Sequence, residues 1–196
     1  MRLYYGMELA SKMVPMRFLG LIVATFGFLP VGVLPAATLE KLSMDDMIQK
    51  STEIVSAKVT GTSSIVRGPV VYTRYRVSVS EQWKGATAKE MDVHVPGGRH
   101  GSFVQTFSGS PTLTEGTEYV LFLWTSRSGL TQVIGLSQGL FTLKRDGRGE
   151  ITLARDASQE PMMDASGRLV EDTPVSMRLR EVVDRIHRTL AGGSRR

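Results

Sequence analysis

The sequence predicts a mainly β chain: a small antiparallel barrel with a short N-terminal helix and an amphipathic C-terminal helix. Three observations predict it. Val71, Tyr75, Val77, Val79 and Trp83 alternate with Arg74, Arg76, Ser78, Ser80 and Gln82, which is the two-residue period of a long, half-buried strand. A helix would set Val77 and Val79 roughly 200° apart, so they could not share one buried face. Shorter apolar or alternating runs recur along the chain between glycine-rich turns, and strands and helices do not alternate as βαβ units, which argues against a doubly wound sheet.

Taken in order, the chain opens with an uncharged stretch, Phe18 to Leu34, preceded by Lys12 and Arg17 and broken by Gly20, Gly27, Pro30 and Gly32. The small residues Pro35-Ala36-Ala37 follow, so residues 1–36 read as an extension and signal peptide cleaved after Ala36. The expected location is periplasmic or extracellular. Contact with a membrane is expected only through this segment, if it stays uncleaved as an anchor. Cysteine is absent from all 196 residues, so the exported domain relies on its apolar core, and cysteine nucleophiles and cysteine-ligated zinc are excluded. Composition is that of a globular protein, with 41% hydrophobic and 22% charged residues. Of the net charge of +5, residues beyond 36 carry only +3, which does not demand nucleic acid.

Leu42 to Lys50 predicts a short helix, with Ser43 and Asp46 as a capping box, Met44, Met47 and Ile48 as its apolar face, and Lys50 near its C-terminal end. Ile54 to Thr60 is the first strand, ending near Gly61, and Gly61 to Pro69 is expected as a sizeable loop before the return strand at Val71 to Lys84. Met91 to Val95 is the third strand, with Asp92 and His94 on its polar face. The glycine-rich connection from Pro96 to Pro111 is expected to be anchored by Phe103 and Val104. Tyr119 to Trp124 is apolar at every position and predicts a strand covered on both faces. Leu130 to Ile134, Leu140 to Lys144 and Ile151 to Leu153 complete the barrel of residues 37–153, and residues 154–173 read as a surface linker. The final helix spans 174–191: Thr173 caps it, Pro174 opens it, and Val175, Leu179, Val182, Val183, Ile186 and Leu190 form its stripe. Glu181 with Arg185 and Asp184 with Arg188 are spaced as pairs four apart.

Three constellations could carry chemistry. Gly135-Leu136-Ser137-Gln138-Gly139 matches G-x-S-x-G, which makes a serine hydrolase using Ser137, with Asp156 or Asp164 and His187, the alternative activity. Its context is wrong, since a nucleophile elbow leads from strand into helix and here a strand follows; a bend or bulge between strands fits better. Asp92, His94 and His100 could be drawn as metal ligands, but they are split between a strand and a flexible loop, and no metal or other cofactor is expected. Tyr72, Arg74 and Arg76 share a strand face in the manner of an oligonucleotide-binding barrel, but export and the mild charge count against nucleic acid as a partner.

Four blocks stand in a recognisable order: Ser51 to Val59, Tyr72 to Gly85 ending in Trp83-Lys84-Gly85, Val93-His94-Val95-Pro96-Gly97-Gly98, and Glu115 to Leu123. Over about Leu42 to Leu143 the chain resembles the netrin-like module of tissue inhibitors of metalloproteinases, and uncharacterised exported bacterial proteins of that shape. The resemblance implies an OB-type barrel and a non-catalytic binding module. Its partner would be another exported protein, in the sharper version a metalloprotease. Those inhibitors chelate the protease zinc through an N-terminal cysteine. Here Ala37 or Thr38 stands at that place, so chelation is not expected. The corresponding edge would carry Ala37, Thr38, Arg67 of the first loop, and Gly97, Gly98, Arg99 and His100 of the second as binding residues.

Overall fold

A computed structural model describes residues 38–193; the expected signal segment with its expected cleavage site, Ala37 and the tail 194–196 lie outside the described residues. The elements are β1 (Leu39–Glu40), α1 (Met44–Lys50), β2 (Glu53–Arg67), β3 (Val70–Lys84), β4 (Glu90–Pro96), β5 (Gly98–His100), β6 (Phe103–Gln105) and β7 (Glu118–Thr125). After these come β8 (Thr131–Val133), β9 (Leu140–Arg145), β10 (Ile151–Arg155), β11 (Met162–Met163), β12 (Leu169–Val170), β13 (Val175–Arg178) and α2 (Leu179–Gly193). The fold is mainly β. One antiparallel sheet runs β13, β10, β9, β7, β2, β3, β4, with β8 beside β9 on the same edge of β7.

Both faces of this sheet are buried, and β7 shows why. Tyr119, Leu121 and Leu123 join Val55, Ala57, Val59, Tyr75, Val77, Val93 and Val95 inside the curl of the sheet. Val120 and Phe122 point the other way, onto Met47 and Ile48 of α1 and Val182 and Ile186 of α2, with Phe141 edge-on to Phe122 at a centroid distance of 5.7 Å. From Tyr119 to Leu123 the strand therefore has an apolar partner on each side, whereas Trp124, expected to be covered as well, is 46% exposed.

The expected closed barrel is not found. The strand path stays open because β8, which lies next to β4, is only three residues long and forms its ladder with β7 alone. The seam between β4 and β8 is crossed by a side chain, His94, whose Nδ1 donates to the Thr131 carbonyl at 3.3 Å. His94 is accordingly buried rather than solvated as its alternation predicted.

Several boundaries also move. The expected loop from Gly61 to Pro69 is strand: β2 continues to Arg67, and only Gly68 and Pro69 turn the chain, with Gly68 at φ +57°. Thr62, Ser63 and Ser64 resemble a loop by composition, yet they pair with Tyr75, Arg74 and Thr73 of β3. Residues 154–173, read as a linker, hold β11 and β12, which form a small sheet with β1 and bury Met162. The final helix starts later than predicted, because Val175 to Arg178 pair with β10 through the register Leu153 to Met177. Val175 fits the helical stripe by its spacing to Leu179, but Val175 and Met177 together fit only a strand alternation, and the open edge of β10 takes up that strand. Arg185 of α2 bonds to Asp45 of α1 at 2.8 and 3.0 Å instead of to Glu181.

The Trp83-Lys84-Gly85 ending of β3 is an architectural device. The register of β2 on β3 skips Ser80 and Trp83: the bulge at Ser80 inverts the alternation and the one at Trp83 restores it. Trp83 consequently packs with the helix-side cluster, not on the inner face that its odd number predicted. Lys84 donates from Nζ to the carbonyls of Ile48 and Gln49 at 2.7 and 2.9 Å, satisfying the C-terminal end of α1. Gly85, at φ +99°, lies where a Cβ would stand 2.6 Å from Glu53 Cγ.

Candidate binding surface

Beyond a third irregularity at Thr60, the β2–β3 hairpin carries on past the inner core, and the β5–β6 hairpin lies against it. Local chemistry fixes this second hairpin. Tyr72 and Gly97 form a parallel bridge, the Gly97 N–H donates to the Val71 carbonyl at 2.8 Å, and Thr73 Oγ1 donates to the Gly97 carbonyl at 2.8 Å. Gln105 acts as a clamp, its Oε1 accepting from the Val71 N–H at 2.8 Å. His100 Nδ1 and Ser64 Oγ are hydrogen-bonded at 3.0 Å.

The structure therefore gathers Arg67, Gly97, Gly98, Arg99 and His100 onto one pair of adjacent hairpins, with Arg67 at the end of β2 rather than in a loop. Gly97 and Gly98 serve the crossing itself. Gly98 has φ +129°, and a Cβ there would sit 2.4 Å from Thr73 Oγ1, so only glycine allows β5 to approach β3 this closely. Thr38, at the start of the described chain, precedes β1.

Exposed apolar side chains are the feature that the sequence did not announce. Phe103 and Val104, expected as anchors, are 57% and 54% exposed, and Val66 on β2 is 49% exposed. The electrostatics are one-sided: no aspartate or glutamate occurs between Glu53 and Glu81, or between Asp92 and Glu115. Arg74 and Arg76 both reach Asp92, at 3.7 and 3.1 Å, and the hydrogen bond from Arg76 holds that carboxyl below its usual range. Arg67 and Arg99 have no carboxylate partner among the described residues.

The other constellations come apart. Asp92 goes to the arginines, His94 to the seam and His100 to Ser64. Burial pushes the His94 imidazole below its ordinary value. No cluster of three or more His, Asp or Glu able to hold a metal occurs among the described residues. Gly135 to Gln138 loop out of a strand line in which Ile134 and Gly139 both bond to Phe122. A Cβ on Gly139 would stand 2.7 Å from the Phe122 carbonyl oxygen, which accounts for that glycine by packing. Gln138 is buried and bonds to the Leu42 N–H and the Glu40 carbonyl at 2.8 and 2.9 Å, so the loop pins the chain between β1 and α1. Among the described residues no hydrogen bond joins the Ser137 side chain to His187, Asp156 or Asp164, and His187 is exposed on α2.

Comparison with known proteins adds no relative: no family model, curated protein or solved structure matches this chain. No helix among the described residues is long and apolar enough to cross a membrane.

Proposed function

We propose that the chain is an exported, non-catalytic protein-interaction module that engages another exported protein through the two adjoining hairpins. In its sharper form the partner is an extracellular metalloprotease whose activity the module modulates. The scaffold would be an OB-type, netrin-like sheet. The curl around Val55, Val77 and Leu121 and the contact of β8 with β4 support that reading.

The observation that carries the proposal is the coincidence of exposed Phe103, Val104 and Val66 with Arg67, Arg99 and His100 on hairpins fastened to each other by side-chain bonds. Apolar side chains with large exposure next to charges that lack partners are the composition of an interface core and rim. Ordered glycine crossings keep such a surface pre-formed, which lowers the entropy cost of binding.

The test is recovery of a partner from the native exported fraction on immobilised protein, with Phe103→Ser/Val104→Ser as the matched control. A partner held by the unchanged protein and lost from the variant is the expected result, and slowed peptide cleavage by a co-exported metalloprotease would establish the sharper form. Equal recovery on both proteins would remove the surface from the proposal. Labelling of Ser137 by a fluorophosphonate would overturn the non-catalytic reading.

A further inference from the structure

We infer that a cleft between β1, α1 and the end of β7 binds a neutral saccharide, with one sugar ring stacked on Trp124. The cleft shares no lining residue with the two hairpins, so the inference stands apart from the interaction surface proposed above. Its volume is about 470 Å³, within the roughly 300–1,000 Å³ of small-molecule sites. Leu39, Leu42, Trp124 and Ile134 give it apolar walls, and Glu40 and Lys50 supply its only formal charges. Trp124 stands two residues beyond Phe122 on β7 and so shares the helix-side face, yet 46% of it is exposed. The cleft is fixed before any ligand arrives. Gln138, 1% exposed, lines it and is held by the Leu42 N–H and the Glu40 carbonyl. Gly135, at φ +61°, keeps that amide in place, since a Cβ there would stand 2.8 Å from Gln138 Nε2.

Charge and hydrogen bonding select the ligand. Lys50 Nζ and Glu40 Oε1 are bonded to each other at 2.7 Å, so the cleft is formally neutral. An anion would meet Glu40 and a cation would meet Lys50, and either would have to displace a partner already in place. The ammonium keeps further N–H donors and the carboxylate further lone pairs, so donors and acceptors stand side by side. Hydroxyl groups, which donate and accept, match both. The indole ring carries partial negative charge over its face, which attracts the C–H groups on the flat side of a pyranose. A ring that is apolar on its face and hydroxylated around its rim therefore satisfies the walls and the ion pair together. A purely aromatic ligand would cover the ion pair without bonding to it, and a proline-rich segment, short of N–H groups, would give Glu40 no donor.

The experiment is isothermal titration calorimetry of protein purified from cells expressing the full chain, with cellotriose and triacetylchitotriose as neutral probes, trigalacturonate as an anionic one and deacetylated chitotriose as a cationic one. Saturable binding of at least one neutral trisaccharide is expected, changing by less than about twofold between ~0.05 M and ~0.5 M salt because no charge is paired. Trp124 is the more exposed of the two tryptophans, so the bound sugar should also shield the intrinsic fluorescence from iodide. Trp124→Ala should weaken binding by about tenfold or more, and Trp124→Tyr should retain most of it. Glu40→Ala/Lys50→Ala should weaken it by about tenfold, and it carries the test if Trp124→Ala alters the circular dichroism spectrum. Binding of neither neutral trisaccharide, preference for a charged one, or indifference to both Trp124→Ala and Glu40→Ala/Lys50→Ala would overturn the inference. Binding of indole or of a decaproline peptide in place of the trisaccharides would overturn it too, assigning the cleft to an aromatic ligand or to a polypeptide. So would a dimer in sedimentation equilibrium that Trp124→Ala dissociates, which would assign the cleft to a second copy of the chain.

Discussion

Replacing Asp172 by Asn tests how a chain without disulfides holds the segment after β10. Asp172 is 1% exposed and takes two bonds from Arg155, at 2.5 and 3.1 Å, and one from the Ser158 N–H at 2.8 Å. Burial alone would raise its carboxyl, yet the Arg155 guanidinium and the Ser158 N–H outweigh it and bring the carboxyl down to about 2 from the ordinary 3.8. Because the folded value is the lower one, the contribution is complete above the unfolded value and is lost as pH falls from there through about 2. That gap corresponds to roughly 2 kcal/mol. Asp172→Asn removes the charge that compensates Arg155, whose Nε is already buried without a partner, so the cost should be larger, about 3–5 kcal/mol. Urea denaturation at neutral pH is the assay. With a slope of about 2 kcal/mol per molar, the midpoint should fall by roughly 1.5–2.5 M, and the variant should lose less stability than wild type between pH 4 and pH 2. Arg155→Met/Asp172→Leu, which removes both charges, should recover much of the loss. An Asp172→Asn midpoint within error of wild type would refute the reasoning.

Three further outcomes are expected. Lys84→Met should cost about 1–3 kcal/mol in urea denaturation by leaving the Ile48 and Gln49 carbonyls without their donor, and faster hydrogen exchange in α1 would locate the loss there. Gly98→Ala should displace the β5–β6 hairpin from Thr73 and abolish partner binding, with new proteolytic cuts between Gly97 and Gln105 and little change in the main transition. His94 is a base whose folded value is depressed by burial, so its contribution is complete above the unfolded value of 6.5 and fades as pH drops below it. His94→Gln should therefore remove part of the stability decline between pH 7 and pH 5, and an unchanged decline would exclude His94 as its source.

What was legible in the sequence follows from which interactions are local. The Ser43–Asp46 capping box and the apolar run of β7 are decided within a few residues, and both are present as expected. The alternation of β3 is equally plain up to Val79. The bulge at Ser80 then reverses it and the one at Trp83 restores it, and neither position is the glycine that usually signals a bulge. The start of α2 was misread for a different reason: the Thr173-Pro174 start signal and the spacing of Val175 to Leu179 are helical, and only the distant edge of β10 draws Val175 to Arg178 into a strand. For the surface, charge was readable and exposure was not. The acid-free runs lie open in the sequence, whereas Phe103, Val104 and Val66 look like core residues until their neighbours are known.

The same distinction explains why the surface can remain exposed without loosening the body. The inner core ends at Tyr75 and Val95, and the helix-side core lies on the opposite face of the sheet. Neither core includes Val66, Phe103 or Val104, so burial of those groups is not needed for folding and their apolar area stays available to a partner. What fastens the hairpins is polar: Gln105 to Val71, Thr73 to Gly97 and Ser64 to His100. Bonds of this kind contribute about 0.5–1.5 kcal/mol each, enough to hold one geometry when they act together. On the proposed reading the residues that bind are separate from the residues that fold, and substitutions at Phe103 or Arg99 are expected to leave the unfolding free energy within about 0.5 kcal/mol of wild type.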